Sequence, residues 1–234
     1  MFSRSARFYD ALYSWKDYTA ENVLLHALIE ARVPGARTLL DVACGTGVHL
    51  AELQAWYEVE GVDLDPEMLE LARERLPGVP IHEGDMVTLD LGREFDIVTC
   101  LFSSIGYVVT LERLHQAAAS LARHVAPSGL LIVEPWITPE QWDPTHLVGA
   151  LFVDEPDLKI ARMTAPTPAA ETVTLEFEYL VATPAGIERF SELHEAGMFT
   201  DDDYRGALEA AGLAVELDSE GLMGRGLYIG TRGA

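Results

Sequence analysis

Residues 36–47 read ARTLLDVACGTG. A short apolar run ends at Gly45, and a second glycine, Gly47, opens what reads as a helix over 48–57. Continuous apolar character over so few residues marks a strand buried on both faces. Working outward, YEVEGVDLD (57–65) is a second strand, and Pro66 sits where a helix EMLELARERL begins. VPIHEGD (79–85), FDIVTCLFSS (95–104) and GLLIVEP (129–135) read as three further strands, with an amphipathic helix over 110–126. Strands alternating with helices predict an α/β, Rossmann-like doubly wound parallel sheet.

Before this core, residues 10–32 read as one helix, stopped by Pro34-Gly35. From 150 to 197 the style changes. LFVDEP, LKIARMT, TVTLEFEYLVAT and IERFSELHEAGMF alternate at period two, which predicts an antiparallel meander of three or four strands. A helix then covers 199–212, with Thr200 at its N-cap, Asp201 to Asp203 in its first turn and Gly212 at its C-cap. Two strands near 213–218 and 226–231 close the sheet. No linker interrupts the chain, so 1–234 is expected to be a single domain. Residues 1–35 are its N-terminal helical part, 36–135 the core, 150–197 an insertion after the fifth strand, and 198–234 the closing elements.

Composition narrows the partners. In 234 residues, 16 Lys and Arg face 38 Asp and Glu, for a net charge of -22. A surface this acidic repels a nucleic-acid backbone and an anionic membrane. Neither nucleic acid nor membrane is therefore expected as a partner. Cys44 and Cys100 lie in apolar runs, too few for a disulfide framework or a zinc site. His26, His49, His82, His115, His124 and His146 show no metal-ligand spacing, and no metal is expected. No leader or membrane-length apolar stretch stands out, so a soluble, cytoplasmic protein is expected.

The glycine pair lets backbone approach a ligand closely, and the following helix N-terminus offers free N–H groups. The full G-x-G-x-x-G spacing and the Walker lysine are both missing, which argues against dinucleotides and nucleoside triphosphates. Asp63 ends the second strand about 20 residues on, where a carboxylate binds ribose hydroxyls. Asp85, in EGDM, ends the third strand and is placed to accept from an exocyclic adenine amine, with Leu64 and Met86 flanking the base. One acid at a strand tip is ordinarily a solvated turn residue. Three ligand-type positions on consecutive tips are read as a nucleoside site.

DVACGTG, GVDLDPEML, GDM and FDIVTCLFSSIGY together resemble the class I S-adenosylmethionine-dependent methyltransferases over residues 36–135. FYD, KDY (16–18), TCLFSSIG, VEPW (133–136) and GRGLYIG (224–230) are further similar to the N,N-dimethyltransferases of nucleotide-linked 3-amino-3,6-dideoxy sugars. That resemblance implies a seven-stranded methyltransferase sheet with its last strand antiparallel, and S-adenosylmethionine as cofactor. It places Tyr9 and Lys16 to Tyr18 in a lid over the cofactor, and Ala43 and Gly45 beneath the methionine. Asp63 would bind the ribose, Asp85 and Met86 the adenine, and Leu101 and Ser103 would line the methionine side. His194 matches a family histidine, and Arg162 and Arg225 match arginines that face a diphosphate. Trp136 falls at the mouth of the substrate pocket. The family pattern has a histidine after SSIG where this chain has Tyr107, and an aromatic where it has Ile137. Tyr107 is then expected to position the acceptor and His194 to assist its deprotonation, with Lys159 a third cation for the acceptor's anionic part.

The expected reaction is N-methylation of an amino sugar or related small-molecule amine by in-line displacement. O- or C-methylation of another metabolite and non-catalytic binding of the cofactor are the alternatives. The expected assembly is a homodimer.

Overall fold

Five strands, β1 (Thr38–Val42), β2 (Glu58–Asp63), β3 (Ile81–Glu83), β4 (Phe95–Cys100) and β5 (Val125–Val133), pair in parallel in the order β5-β4-β1-β2-β3. The computed structural model describes residues 4–143 and 148–234, and His146 lies outside them. Strands β10 (Leu213–Asp218) and β11 (Leu227–Arg232) complete seven, and β11 runs antiparallel to both β5 and β10. Helices cover both faces: α2 (Tyr18–Arg32), α3 (Val48–Leu53) and α4 (Pro66–Arg75) on one, α5 (Leu111–Arg123) and α6 (Asp201–Ala210) on the other. The strand order reverses between β1 and β4, so a crevice opens beyond their carboxyl ends, where doubly wound sheets bind ligands.

A second, four-stranded antiparallel sheet follows β5: β6 (Gly149–Glu155), β7 (Leu158–Pro168), β8 (Thr172–Thr183) and β9 (Gly186–Gly197). Along β8, Val173, Leu175, Phe177, Tyr179 and Val181 are buried while their neighbours are not, the period-two pattern of a sheet with one covered face. That face shares a core with Phe8 and Leu12 of the N-terminal segment.

The N-terminal helix differs from its expectation. Residues 10–32 are not one helix. A short α1 (Tyr9–Leu12) ends before Tyr13, and α2 starts afresh at Tyr18. The Asp17 carboxylate caps α2 by accepting from the Ala20 N–H at 2.9 Å, and a side chain that favours a cap disfavours a continuous helix. Gly212 lies one position past the C-cap, Ala211, and takes a left-handed φ of +88°. No helix of the described residues is long and apolar enough to cross a membrane.

The start of α6 is as expected. Thr200 Oγ1 accepts from the Asp203 N–H at 3.1 Å, and Asp203 Oδ2 accepts from the Thr200 N–H at 2.9 Å. Thr200→Ala breaks this reciprocal cap and is expected to lower the unfolding free energy by about 1 kcal/mol. Urea denaturation measures it, and an unchanged midpoint would show that the cap contributes nothing.

Candidate active site

The loop after β1 turns on left-handed backbone at Ala43 (φ +63°), Gly45 (φ +55°) and Gly47 (φ +75°). A Cβ on Gly47 would stand 2.8 Å from the Leu76 side chain, so the loop packs against the end of α4 only with glycine there. Across the crevice, Asp63 Oδ2 accepts from the Gly45 N–H at 2.8 Å and Oδ1 from the Asp65 N–H at 2.9 Å. Burial pushes the Asp63 carboxyl up, and the Asp65 and Gly45 amides pull it back toward the ionised form. The tips of β1 and β2 are thereby locked together.

A cavity of about 160 Å³ opens beside this lock. Ala43, Gly45, Asp63, Leu64, Asp85 and Met86 all line it. The sequence placed Asp63, Leu64, Asp85 and Met86 around a nucleoside and Ala43 and Gly45 beneath the methionine, and the fold brings all six to one cavity. Arg113 of α5 also lines it and pairs with Asp85 Oδ2 at 3.2 Å. A smaller recess of about 30 Å³ continues past Gly45 to Tyr18, His49 and Leu101. Beside it, a buried Lys16 forms an ion pair with Glu21, and its ammonium lies 4.6 Å from the centre of the Tyr18 ring. Burial and the Lys16 charge push His49 down to about 3, so this imidazole is neutral. Its Nδ1 faces Asn22 Oδ1 at 2.8 Å.

A third cavity, of about 360 Å³, lies between the covered face of the meander and the tips of β4 and β5. Trp136, Arg162, His194 and Arg225 line it. Tyr107 faces both this cavity and the nucleoside-side one, while Tyr9 and Ser104 border all three. Tyr107 Oη and His194 Nδ1 are 2.8 Å apart. Arg162 Nη1 donates to Tyr13 Oη at 3.1 Å, and its guanidinium lies 4.8 Å from the centre of the Phe177 ring. Arg225 Nη1 donates to Ser103 Oγ at 2.7 Å. Among the described residues, neither arginine has a carboxylate within ion-pair distance.

Two sequence placements shift. Ser103 borders the large cavity, and its neighbour Ser104 takes the position facing the cofactor-side recess. The cause is the backbone: Phe102 and Ser103 both have left-handed φ, +51° and +62°, which breaks the alternation a strand tip would show. Glu134 holds this turn, its Oε2 accepting from the Phe102 N–H at 2.7 Å, while Ser103 Oγ donates to the Pro135 carbonyl at 2.7 Å. Trp136 can press on the next turn because Gly106 has no Cβ: one there would lie 2.8 Å from Trp136 Cβ. Lys159, the third candidate cation, is paired with Asp154 on the surface and lines none of these cavities. Among the described residues no group of His, Cys, Asp and Glu is arranged to hold a metal.

Residues 39–129 match a family model described as a methyltransferase domain. The chain is 42% identical, over 98% of its length and 91% of the relative's, to a dTDP-3-amino-3,6-dideoxy-alpha-D-glucopyranose N,N-dimethyltransferase of Streptomyces fradiae. The chain belongs to the S-adenosylmethionine-dependent methyltransferases, in the family of this enzyme. A dTDP-4-amino-2,3,4,6-tetradeoxy-D-glucose N,N-dimethyltransferase of Saccharopolyspora spinosa is 39% identical over 97% of this chain and 92% of its own. Among solved structures, an amino pentose methyltransferase of Micromonospora echinaspora, with S-adenosylmethionine bound, superposes with a TM-score of 0.87. It is 40% identical, and 96% of each chain is covered. The methyl donor is S-adenosylmethionine.

The residues present fit that cofactor. The smaller cavities combine two strand-tip carboxylates, an apolar flank from Leu64 and Met86, and a turn whose backbone is bare at Gly45. Their acidic lining suits a sulfonium cation. Asp63→Ala removes both a candidate ribose acceptor and the brace on Gly45. It is expected to weaken S-adenosylhomocysteine binding by about 1.5–3 kcal/mol. Calorimetry checks this, and unchanged affinity in a folded variant would take Asp63 out of the cofactor site.

Proposed function

We propose that the large cavity takes a nucleotide-linked amino sugar and that the enzyme methylates its amine. The observation that carries this reading is the pair Arg162 and Arg225. In a chain with a net charge of -22, the two guanidiniums on this cavity are the ones left without a carboxylate there. A diphosphate is the anion that planar, forked donors grip best. Trp136, Tyr13 and Phe177 supply apolar surface beside them for a deoxy sugar. The names of the relatives add support, since both carry dTDP-linked amino sugars. Those names differ in the carbon bearing nitrogen, so both 3-amino and 4-amino substrates belong in the test.

When bound, the sulfonium supplies a methyl carbon already activated for displacement. The protein's part is to align the amine, keep water out and remove a proton. In this reading Asp63 and Asp85 hold the nucleoside of the cofactor, and Ala43, Gly45, Tyr18 and Leu101 border its methionine. Tyr9 covers the junction, and Tyr107 orients the amine against it. His194 takes the amine's proton through the Tyr107 hydroxyl. Burial drives the Tyr107 pKa far up, so the phenol works as a neutral relay and not as a phenolate base. Burial also lowers the pKa of His194, with Glu192 opposing, which keeps the imidazole neutral and able to accept.

A homodimer is the assembly we propose. Its support is the outward face of the meander, where Phe152, Met163, Leu180 and Leu193 are exposed, and sedimentation velocity tests it. A cytoplasmic setting suits the two free, buried cysteines.

The reading is tested by incubating the enzyme and S-adenosylmethionine with dTDP-linked amino sugars, the matching free amino sugars and hydroxyl analogues, then weighing the products. Transfer to the nucleotide-linked amines is expected. Arg225→Ala and Arg162→Ala are each expected to raise KM for the nucleotide-linked sugar at least about tenfold, the loss of one charge-assisted contact, with cofactor affinity unchanged. Equal turnover of free and nucleotide-linked sugars would overturn the diphosphate assignment.

A further inference from the structure

Glu192 lies on β9, two residues from His194 and on the same covered face of the meander. Its carboxylate is buried, with 4% of the side chain exposed, and each oxygen is engaged. Oε1 accepts from the N–H groups of Arg4 and Ser5, at 2.8 and 3.0 Å. Oε2 accepts from the Ser5 hydroxyl at 2.6 Å and faces His194 Nε2 at 3.5 Å. The donors all belong to the N-terminal segment that leads into Tyr9. Further along, Asp10 Oδ1 accepts from Thr46 Oγ1 of the glycine loop at 2.7 Å, and Asp10 pairs with Arg75. One short segment therefore clamps the meander at one end and the cofactor loop at the other, with Tyr9 between them.

We propose that Glu192 is a positioning residue that sets the tautomer of His194, and that it does so only while the N-terminal segment is docked. The inference rests on the amine-methylation reading and adds to it how the base is made ready. A carboxylate 3.5 Å from Nε2 favours a hydrogen on that nitrogen, because a lone pair turned toward an anion repels it. Nδ1 is then the acceptor, and it is the nitrogen 2.8 Å from Tyr107 Oη. In the relay, an N–H bond of the substrate's ammonium breaks, its electron pair stays on nitrogen as the lone pair that attacks the methyl carbon, and its proton joins Tyr107 Oη. The Tyr107 O–H proton passes to His194 Nδ1, so the phenol stays neutral and the imidazole takes the positive charge. The imidazolium formed is stabilised by the charge of Glu192 3.5 Å away.

His194 is faced by Tyr107 after β4, Arg162 on β7, the Phe177 ring on β8 and Glu192 on β9, and Glu192 in turn by Tyr179 on β8 and the Arg4–Ser5 turn. Arg162 disfavours the imidazolium and Glu192 favours it. Burial opposes ionisation of Glu192, yet His194, the Ser5 hydroxyl and the two amides bring it down to about 2. When the segment lifts, Glu192 loses its three donors and water screens it from His194. Proton removal is in this way tied to closure over the substrates.

The test uses Glu192→Gln, with nitrogen-15 spectra of His194 as a readout independent of activity. In the wild type, His194 is expected as the Nε2–H tautomer, and the amides of Arg4 and Ser5 as slowly exchanging. Glu192→Gln, whose amide can donate to Nε2, is expected to shift His194 toward Nδ1–H and to speed exchange at both amides. Its kcat is expected to fall about tenfold or more, with acceptor KM and S-adenosylhomocysteine affinity within about twofold. The acidic limb of kcat/KM that belongs to the enzyme should move to lower pH, because the imidazolium has lost its anion. Ser5→Pro removes one N–H and the hydroxyl at a φ of -87°, near the value proline imposes, and leaves β9 intact. It should produce a smaller change of the same kind, and it carries the test if the glutamine variant fails to fold. Wild-type kcat, pH profile and tautomer in both variants would overturn the proposal, as would an Nδ1–H tautomer in the wild type. A wild type that shows the Nε2–H tautomer yet methylates no amine would instead overturn the acceptor reading.

Discussion

The bond from the Gly45 N–H to Asp63 Oδ2, 2.8 Å long, is the constraint on which the site depends. A parallel sheet leaves the strand tips at its switch point free to diverge, and this bond ties β1 to β2 just where the crevice opens. The left-handed backbone at Ala43, Gly45 and Gly47 turns the loop sharply, and Gly45 is the residue whose N–H reaches the Asp63 carboxylate. The same loop receives the N-terminal segment through Thr46 and Asp10. One carboxylate therefore braces the loop and also faces the cavity beside it.

The division of the crevice into a large cavity and the two smaller ones has a separate origin. Phe102 and Ser103 turn the chain through left-handed backbone, a conformation of low intrinsic stability for residues with a Cβ. Glu134, fully buried, offsets it by accepting from the Phe102 N–H, and the Pro135 carbonyl takes the Ser103 hydroxyl. The VEPW segment thus has three jobs in sequence: Glu134 holds the turn, Pro135 fixes Ser103, and Trp136 lines the large cavity. Arg225, arriving from the segment before β11, rests on Ser103 and reaches the same cavity from the far side.

Much of this was legible in the chain. Apolar runs of strand length, glycines at their ends and acids at successive tips are local signals, and they located Gly45, Asp63 and Asp85 correctly within the fold. The period-two pattern of β8 was equally plain. Three features were not. The break at Tyr13 to Asp17 depends on a cap competing with a helix, and periodicity alone favours the longer helix. Ser104 displaced Ser103 because backbone handedness is invisible in residue type. Glu192 looked like one more acid on an acidic strand, since its partners Arg4 and Ser5 lie at the other end of the chain. Long-range pairing of that kind leaves no local trace, whereas Lys159 pairs with Asp154 just across the β6–β7 hairpin, at its exposed end.

The large cavity and the one beside Asp63 meet at Tyr9, Ser104 and Tyr107, and the proposed reaction needs the acceptor in the first and the cofactor in the second. A crystal structure of the enzyme with S-adenosylhomocysteine and a dTDP-linked amino sugar tests it most directly. The account predicts the nucleoside of the cofactor on Asp63 and Asp85, the diphosphate on Arg162 and Arg225, and the sugar amine within hydrogen-bond reach of Tyr107 Oη. An acceptor amine remote from Tyr107, or a diphosphate bound away from both arginines, would contradict it.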